Sequence, residues 1–251
     1  MTGLGAMLFR EARLRATNAT FIFWDVIYPL AYLLVFGVGM SSALGGNFGG
    51  LGAGYNEFFL AGVLGMASFG IASNTAWSLF MDRDNGIFYE MLTYPLSRAA
   101  YLIGKVLFNG VIALVQAIVT VVLAALLLDV DVRWIGLPLL IAAVAIGTAG
   151  WFFFYAIFAL MIRRNDAFNT VTSICYFVFL FASSMFYPVE PLPTVFRIAA
   201  SANPITWQVD VLRYATIGLG SPGMVALQSV LFLAFTGISF AVAMRALMRQ
   251  E

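Results

Sequence analysis

Histidine is absent from this 251-residue chain, and cysteine occurs once, at Cys175. The first absence removes both the commonest general base and the commonest metal ligand, so a hydrolytic or metal-dependent enzyme is a poor reading and no metal site is expected. The second excludes an internal disulfide. Charge is scarce as well: Asp, Glu, Lys and Arg make up 10% of the residues, against roughly 25% in a soluble globular domain. A formal net charge of +1 supplies no basic field for nucleic acid. A G-x-x-x-x-G-K-[ST] phosphate loop is also missing, because Gly104-Lys105 is followed by Val106 and position 99 is Ala99. Binding of ATP by that device is excluded.

What the chain has instead is apolar sequence, 62% of it by residue, more than a soluble fold can hide. A membrane-crossing helix needs about 20 apolar residues. Six stretches qualify, at 21–44, 58–81, 106–128, 134–162, 167–187 and 224–244. They follow one another without a polar linker, so the expectation is a single membrane domain over 1–251 and an all-α membrane protein. The first stretch is not expected to be a cleaved leader, since it is too long and contains Asp25 and Pro29.

Orientation follows from the basic residues. Six spans place ten of the 13 Lys and Arg residues on one side: Arg10, Arg13, Arg15, Arg83, Arg98, Lys105, Arg163, Arg164, Arg245 and Arg249. Only Arg133, Arg197 and Arg213 fall on the other. Both termini are therefore expected in the cytoplasm, with the Gly-rich stretch 44–55 as the first external loop. Asp25 is costly at a membrane centre and is placed at the cytoplasmic boundary. Residues 4–18 read as an interfacial helix with Leu4, Met7, Leu8 and Leu14 on one side; Glu11 and Arg15 interrupt its apolar face. In the fourth span, Ala143, Gly147, Ala145 and Ala149 suit close helix approach.

Between the second and third stretches runs Asp82-Arg-Asp-Asn-Gly-Ile-Phe-Tyr-Glu-Met-Leu-Thr-Tyr-Pro-Leu-Ser-Arg98. Asp84 or Asn85 can cap a short amphipathic helix carrying Ile87, Phe88, Met91 and Leu92 on one face, which Pro95 stops. After the fifth stretch come Tyr187-Pro-Val-Glu-Pro-Leu-Pro-Thr-Val-Phe196 and Ala202-Asn-Pro-Ile-Thr-Trp-Gln-Val-Asp-Val-Leu-Arg213. Asn203-Pro204 is a breaker between two apolar pieces each too short to span, and Asp210 and Arg213 can neutralise one another three residues apart.

The order acidic-Arg-acidic, Gly, Glu, then Pro-Leu-Ser-Arg resembles the coupling-helix loop of type-2 ABC transporter permeases, with Gly86-Ile87-Phe88 where many relatives have Gly-Thr-Leu. The second region is similar to their Pro-x-x-x-Leu-Pro segment followed by Asn-Pro-Leu-Thr and Asp-x-x-Arg. The resemblance implies six transmembrane helices, an N-terminal interfacial helix, a cytoplasmic coupling helix between spans 2 and 3, and two short re-entrant external helices between spans 5 and 6. It implies that Asp84, Gly86, Ile87, Phe88, Glu90, Met91 and Pro95 couple to a separate ATPase subunit, which binds ATP and Mg, while this chain holds no cofactor. An external gate at Pro191, Leu192, Pro193, Asn203, Pro204, Asp210 and Arg213 follows too. Such permeases pair, so a second copy or a related permease is expected, in the cell inner membrane among lipid. Aromatic residues Trp151, Phe154, Tyr155, Phe158, Tyr176 and Phe179 are candidates for a translocation path. The cargo expected is amphiphilic, a lipo-oligosaccharide, lipid or drug, with polysaccharide export as the alternative. An intramembrane enzyme or an ion-coupled transporter finds no catalytic constellation, inverted repeat or midplane charge in support.

Overall fold

The computed structural model describes residues 3–18, 20, 23–44, 53–91, 93–94 and 96–250. Every regular element among them is helical. In chain order these are α1 (Gly3–Ala16), α2 (Tyr28–Leu44, entered through a π-helical turn Phe23–Ile27), α3 (Tyr55–Asp84), α4 (Ile87–Met91), α5 (Arg98–Leu127), α6 (Leu137–Met161), α7 (Asn165–Phe181), α8 (Thr194–Ser201), α9 (Pro204–Ile217) and α10 (Pro222–Met248). Five are long and apolar enough to cross a membrane: α2 with its entry turn, α3, α5, α6 with the short turn before it, and α10. The stretch expected at 167–187 is helical only as the 17-residue α7, about 25 Å at 1.5 Å per residue. Irregular chain replaces helix beyond Ala182, where Asn203 Nδ2 donates to the carbonyls of Phe179 and Ala182 at 2.7 and 2.6 Å. The expected 44–55 loop lies largely outside the described residues.

Local chemistry sets the helix ends. Ser97, Asn203 and Ser221 cap α5, α9 and α10 with side-chain oxygens, and Pro204 and Pro222 begin their helices where no amide donor is needed. The loop after α3 departs from expectation. Helix α3 continues to Asp84 and Asn85 closes it, so neither residue starts α4. Gly86 does, with φ at +77° and a carbonyl accepting from the amides of Tyr89 and Glu90.

Helix α3 is the axis of the bundle and is buried along most of its length, with α2, α5, α6 and α9 around it. The lack of a side chain permits a close approach between α6 and α9. A Cβ on Gly147 would stand 2.0 Å from Gln208 Nε2, which is how α9 seats against α6, as the small residues of that helix predict. Gln208 Oε1 then accepts from Trp151 Nε1 at 2.8 Å. The amino-terminal α1 packs on α5, and Arg98 at the start of α5 donates to the last carbonyls of α10 at Leu247 and Met248 (3.2 and 3.1 Å). Helix α1 and the last turn of α10 therefore lie at the same end of the bundle, with the start of α5.

Candidate functional site

At that terminal end the chain assembles six buried or half-buried charges. Lys105, fully buried, places Nζ 3.0 Å from Glu11 Oε1 and 3.0 Å from Asp82 Oδ2, and donates to Ser78 Oγ at 2.9 Å. Arg10 grips Asp82 through both terminal nitrogens and reaches Glu11 at 3.1 Å. Tyr101 donates to Asp82 Oδ2 at 2.6 Å. One turn along α1, Arg15 pairs with Asp25 and donates to Asn109 Oδ1, while Asn74 Nδ2 donates to Asp25 at 3.0 Å. Three cations face three carboxylates, so the array is neutral as a whole. Burial opposes the charge of Arg10, but the hydrogen bond and charge of Asp82 outweigh it and lift its pKa above the usual guanidinium value. Burial lowers Arg15 to about 10, with the Glu11 charge acting against the drop; the group stays cationic at neutral pH.

Glu11 and Arg15, which seem in sequence to spoil the apolar face of α1, are the residues that face inward. The signal was their spacing with Met7 at i, i+4 and i+8, matched by Lys105 and Asn109 four apart on α5. Neither Lys105 nor Asp82 stands out in sequence, since the end of a span is an ordinary place for charge.

The array meets the expected coupling segment at Phe88. Its ring is fully buried and lies edge-on to Tyr101 at 5.2 Å. It is thus an internal anchor rather than a surface contact, because an unsatisfied apolar ring gains most by leaving solvent. Asp84, Gly86, Ile87 and Glu90 are exposed and Met91 is half-buried. Pro95 lies outside the described residues.

On one flank of the bundle a cavity of about 560 Å³ is lined by Trp24, Tyr28 and Tyr32 of the first helical segment, by Ser73 and Asn74 of α3, and by Tyr176 and neighbours of α7. Trp24, Tyr28, Tyr32 and Phe36 follow one another at i, i+4 with ring centroids 4.9–5.3 Å apart. Asn74 belongs both to this groove and to the charge array. Of the six aromatic residues expected on a path, only Tyr176 lines the groove. Trp151 and Tyr155 are fully buried, and Phe154, Phe158 and Phe179 pack on the core. They form the protomer's interior, with Trp151 edge-on to Phe69 at 4.4 Å and Tyr176 stacked on the same ring at 5.0 Å. Sequence reasoning missed the α2 ladder, whose four-residue period was the available signal.

At the opposite end, the breaker predicted at Asn203-Pro204 separates α8 from α9. Asp210 and Arg213 pair at 2.7 Å. Asp210 also accepts from Ser184 Oγ at 2.8 Å and Gln228 Nε2 at 2.6 Å, and the Arg213 guanidinium sits 3.8 Å over the Phe58 ring. Pro191 and Pro193 are exposed and Leu192 half-buried on the irregular approach to α8, separated from this cluster in the chain but at the same end.

These features, long apolar helices, an ionic terminal end and a broken helix pair at the other, accord with the comparisons. The sequence profile described as "ABC-2 type transporter" matches residues 2–217. Proteins named as transport permeases, ycf38, are 25% identical in Porphyra purpurea, 29% in Pyropia yezoensis and 24% in Cyanophora paradoxa. Each match covers 75% of this chain and 65% of the relative. The chain is a multi-pass membrane protein and belongs to the ABC-2 type transporter family.

Proposed function

We propose that the chain is the membrane subunit of an ATP-driven exporter, six-spanning with α7 as the short fifth span, both termini cytoplasmic, in the inner membrane. It works with a second permease copy and a separate ATPase subunit that binds ATP and Mg. The observation that carries this reading is the groove of about 560 Å³. Its aromatic rungs offer apolar faces, its hydroxyl and amide groups offer hydrogen bonds, and Asp25, the charge nearest to it, is neutralised by Arg15. A surface of that kind suits an uncharged part of an amphiphile moving along α2. The exposed side of α4, with Ile87 and Glu90, and Asp84 at the end of α3 before it, is the docking face for the ATPase. The cluster of Asn203, Pro204, Asp210 and Arg213, with the Pro191–Pro193 approach, serves as the outer gate.

The test is reconstitution of the chain with the ATPase that accompanies it in its native host. ATP-dependent efflux of a fluorescent lipid or lipophilic dye is expected, and Tyr32→Ala should lower it without changing assembly. Export that continues without any ATPase subunit would refute the reading.

A further inference from the structure

The residue before the exposed part of the loop has a second task. Arg83, on the last turn of α3, is 9% exposed. Its Nη2 donates to the carbonyl of Ile162, the residue that ends α6. The same guanidinium lies 5.3 Å over the Phe80 ring. Phe80 in turn stacks on Phe168 of α7, with centroids 4.7 Å apart and planes 13° from parallel. Both rings are buried.

The connection between α6 and α7 is three residues of non-helical chain, 162–164, extended at Ile162 (ψ 134°) and Arg164 (ψ 129°). Beyond it, α7 has only Phe168, Thr172 and Leu180 buried among its described residues. A helix so lightly buried, hung from an extended turn, moves at little cost. It is also a wall of the groove, through Thr172, Ser173, Tyr176 and Phe177.

The geometry points to Arg83 as a positioning residue for transport, a latch that joins the α3–α4 loop to the α6–α7 turn and, through the Phe80–Phe168 stack, to the groove wall α7. A displacement of α4 therefore has two exits. One runs through Phe88 and Tyr101 into the charge array and α1. The other runs through Arg83 to α7 and alters the width of the groove. The charge alone is insufficient for the second, because one planar group must bond a carbonyl and cover a ring at once, which an ammonium does poorly. This inference rests on the reading of α4 as the ATPase docking segment.

Cys175 reports on α7, since it is the chain's only cysteine, lies two turns beyond Phe168 and is half-buried. The measurement is the rate of N-ethylmaleimide addition at Cys175, quantified by mass spectrometry, in the permease–ATPase complex with and without ATP and vanadate. The wild-type complex should show a nucleotide-dependent change in rate. Arg83→Lys and Phe168→Leu should keep assembly and ATP hydrolysis near wild type yet shrink that change, Arg83→Lys by about tenfold, the scale of one lost charge-assisted hydrogen bond, and Phe168→Leu in the same direction through loss of the ring stack. A purely structural role predicts a lower unfolding temperature with the nucleotide response intact, and that result would overturn the inference. So would a wild-type complex whose Cys175 ignores nucleotide. If Arg83→Lys fails to insert, Phe168→Leu, which leaves Arg83 and its bond to Ile162 in place, decides. Failure of the wild-type chain to bind any ATPase would instead sink the underlying reading.

Discussion

Lys105→Met is the sharpest perturbation of the terminal-end array. The methionine keeps the aliphatic stem but removes a cation that lies 3.0 Å from each of two buried carboxylates. Arg10 then remains bonded to Glu11 and Asp82, with its side chain 24% exposed. Removing one member of a buried ionic cluster costs about 3–5 kcal/mol, because a charge is left uncompensated, whereas an exposed pair costs about 0–1 kcal/mol. Which range applies depends on water. A cavity of about 230 Å³ borders Arg10, Glu11, Arg15 and Asp82, but Lys105 itself is fully buried, so the larger figure is the one expected. A second substitution separates this account from simple loss of packing. Glu11→Gln removes one negative charge, so in the double variant the array is again balanced, Arg10 and Arg15 against Asp82 and Asp25. The double variant should be more stable than Lys105→Met alone, with a coupling energy of about 1–3 kcal/mol. Equilibrium unfolding in mixed micelles, followed by tryptophan fluorescence, gives all four corners of the cycle. Additive losses, or a Lys105→Met cost below about 1 kcal/mol, would show that these charges are individually solvated and would refute the reasoning.

Three further outcomes are expected. Phe88→Ala should destabilise the chain by about 3–5 kcal/mol in the same assay, while Glu90→Ala, at an exposed site, stays within about 0.5 kcal/mol yet weakens capture of the ATPase subunit. Gly147→Val should cost about 1–3 kcal/mol by overpacking, since its first added atom meets Gln208, and Gly147→Ala should cost less. Arg213→Lys should lose about 1.5–3 kcal/mol, because an ammonium cannot hold Asp210 and the Ser184 carbonyl while covering Phe58; retention of wild-type unfolding behaviour would disprove that role.

Apolar length and breakers were legible because each is local, whereas the cap expected at Asp84 or Asn85 was not found, because α3 runs on through Asp84. The 20-residue runs located five of the long helices, and Asn203-Pro204 located the boundary between α8 and α9. The shortness of α7 was not legible. Residues 182–187 are apolar enough to continue a helix, but the Asn203 side chain binds the carbonyls of Phe179 and Ala182, a partner twenty residues away that no periodicity reveals. The role of Phe88 was half legible for the same reason: of the face expected at Ile87, Phe88, Met91 and Leu92, Phe88 is buried while Ile87 is exposed, and what Phe88 faces, Tyr101, depended on the return of α5 to α3.

The charged residues at the ends of spans taught the most misleading lesson in sequence. Counted by side, Arg10, Arg15 and Lys105 argue for an orientation, and such a count treats each as solvated. The structure buries Lys105 completely and takes Arg15 most of the way, which a lone cation could not tolerate. Burial is possible only because Glu11, Asp82 and Asp25 arrive from three different segments to match them. Those carboxylates, far apart in sequence at positions 11, 25 and 82, meet their cations because α1 packs on α5 and reaches the ends of α2 and α3. The balance of the array is therefore a constraint on where α1 can sit. An α1 sliding along the membrane surface by one turn would strand Glu11 opposite solvent and leave Lys105 with Asp82 alone. Helix α1 is thereby held in register with the end of α3 that leads into α4, and through Arg15 it is tied to Asp25, whose partner Asn74 lines the groove.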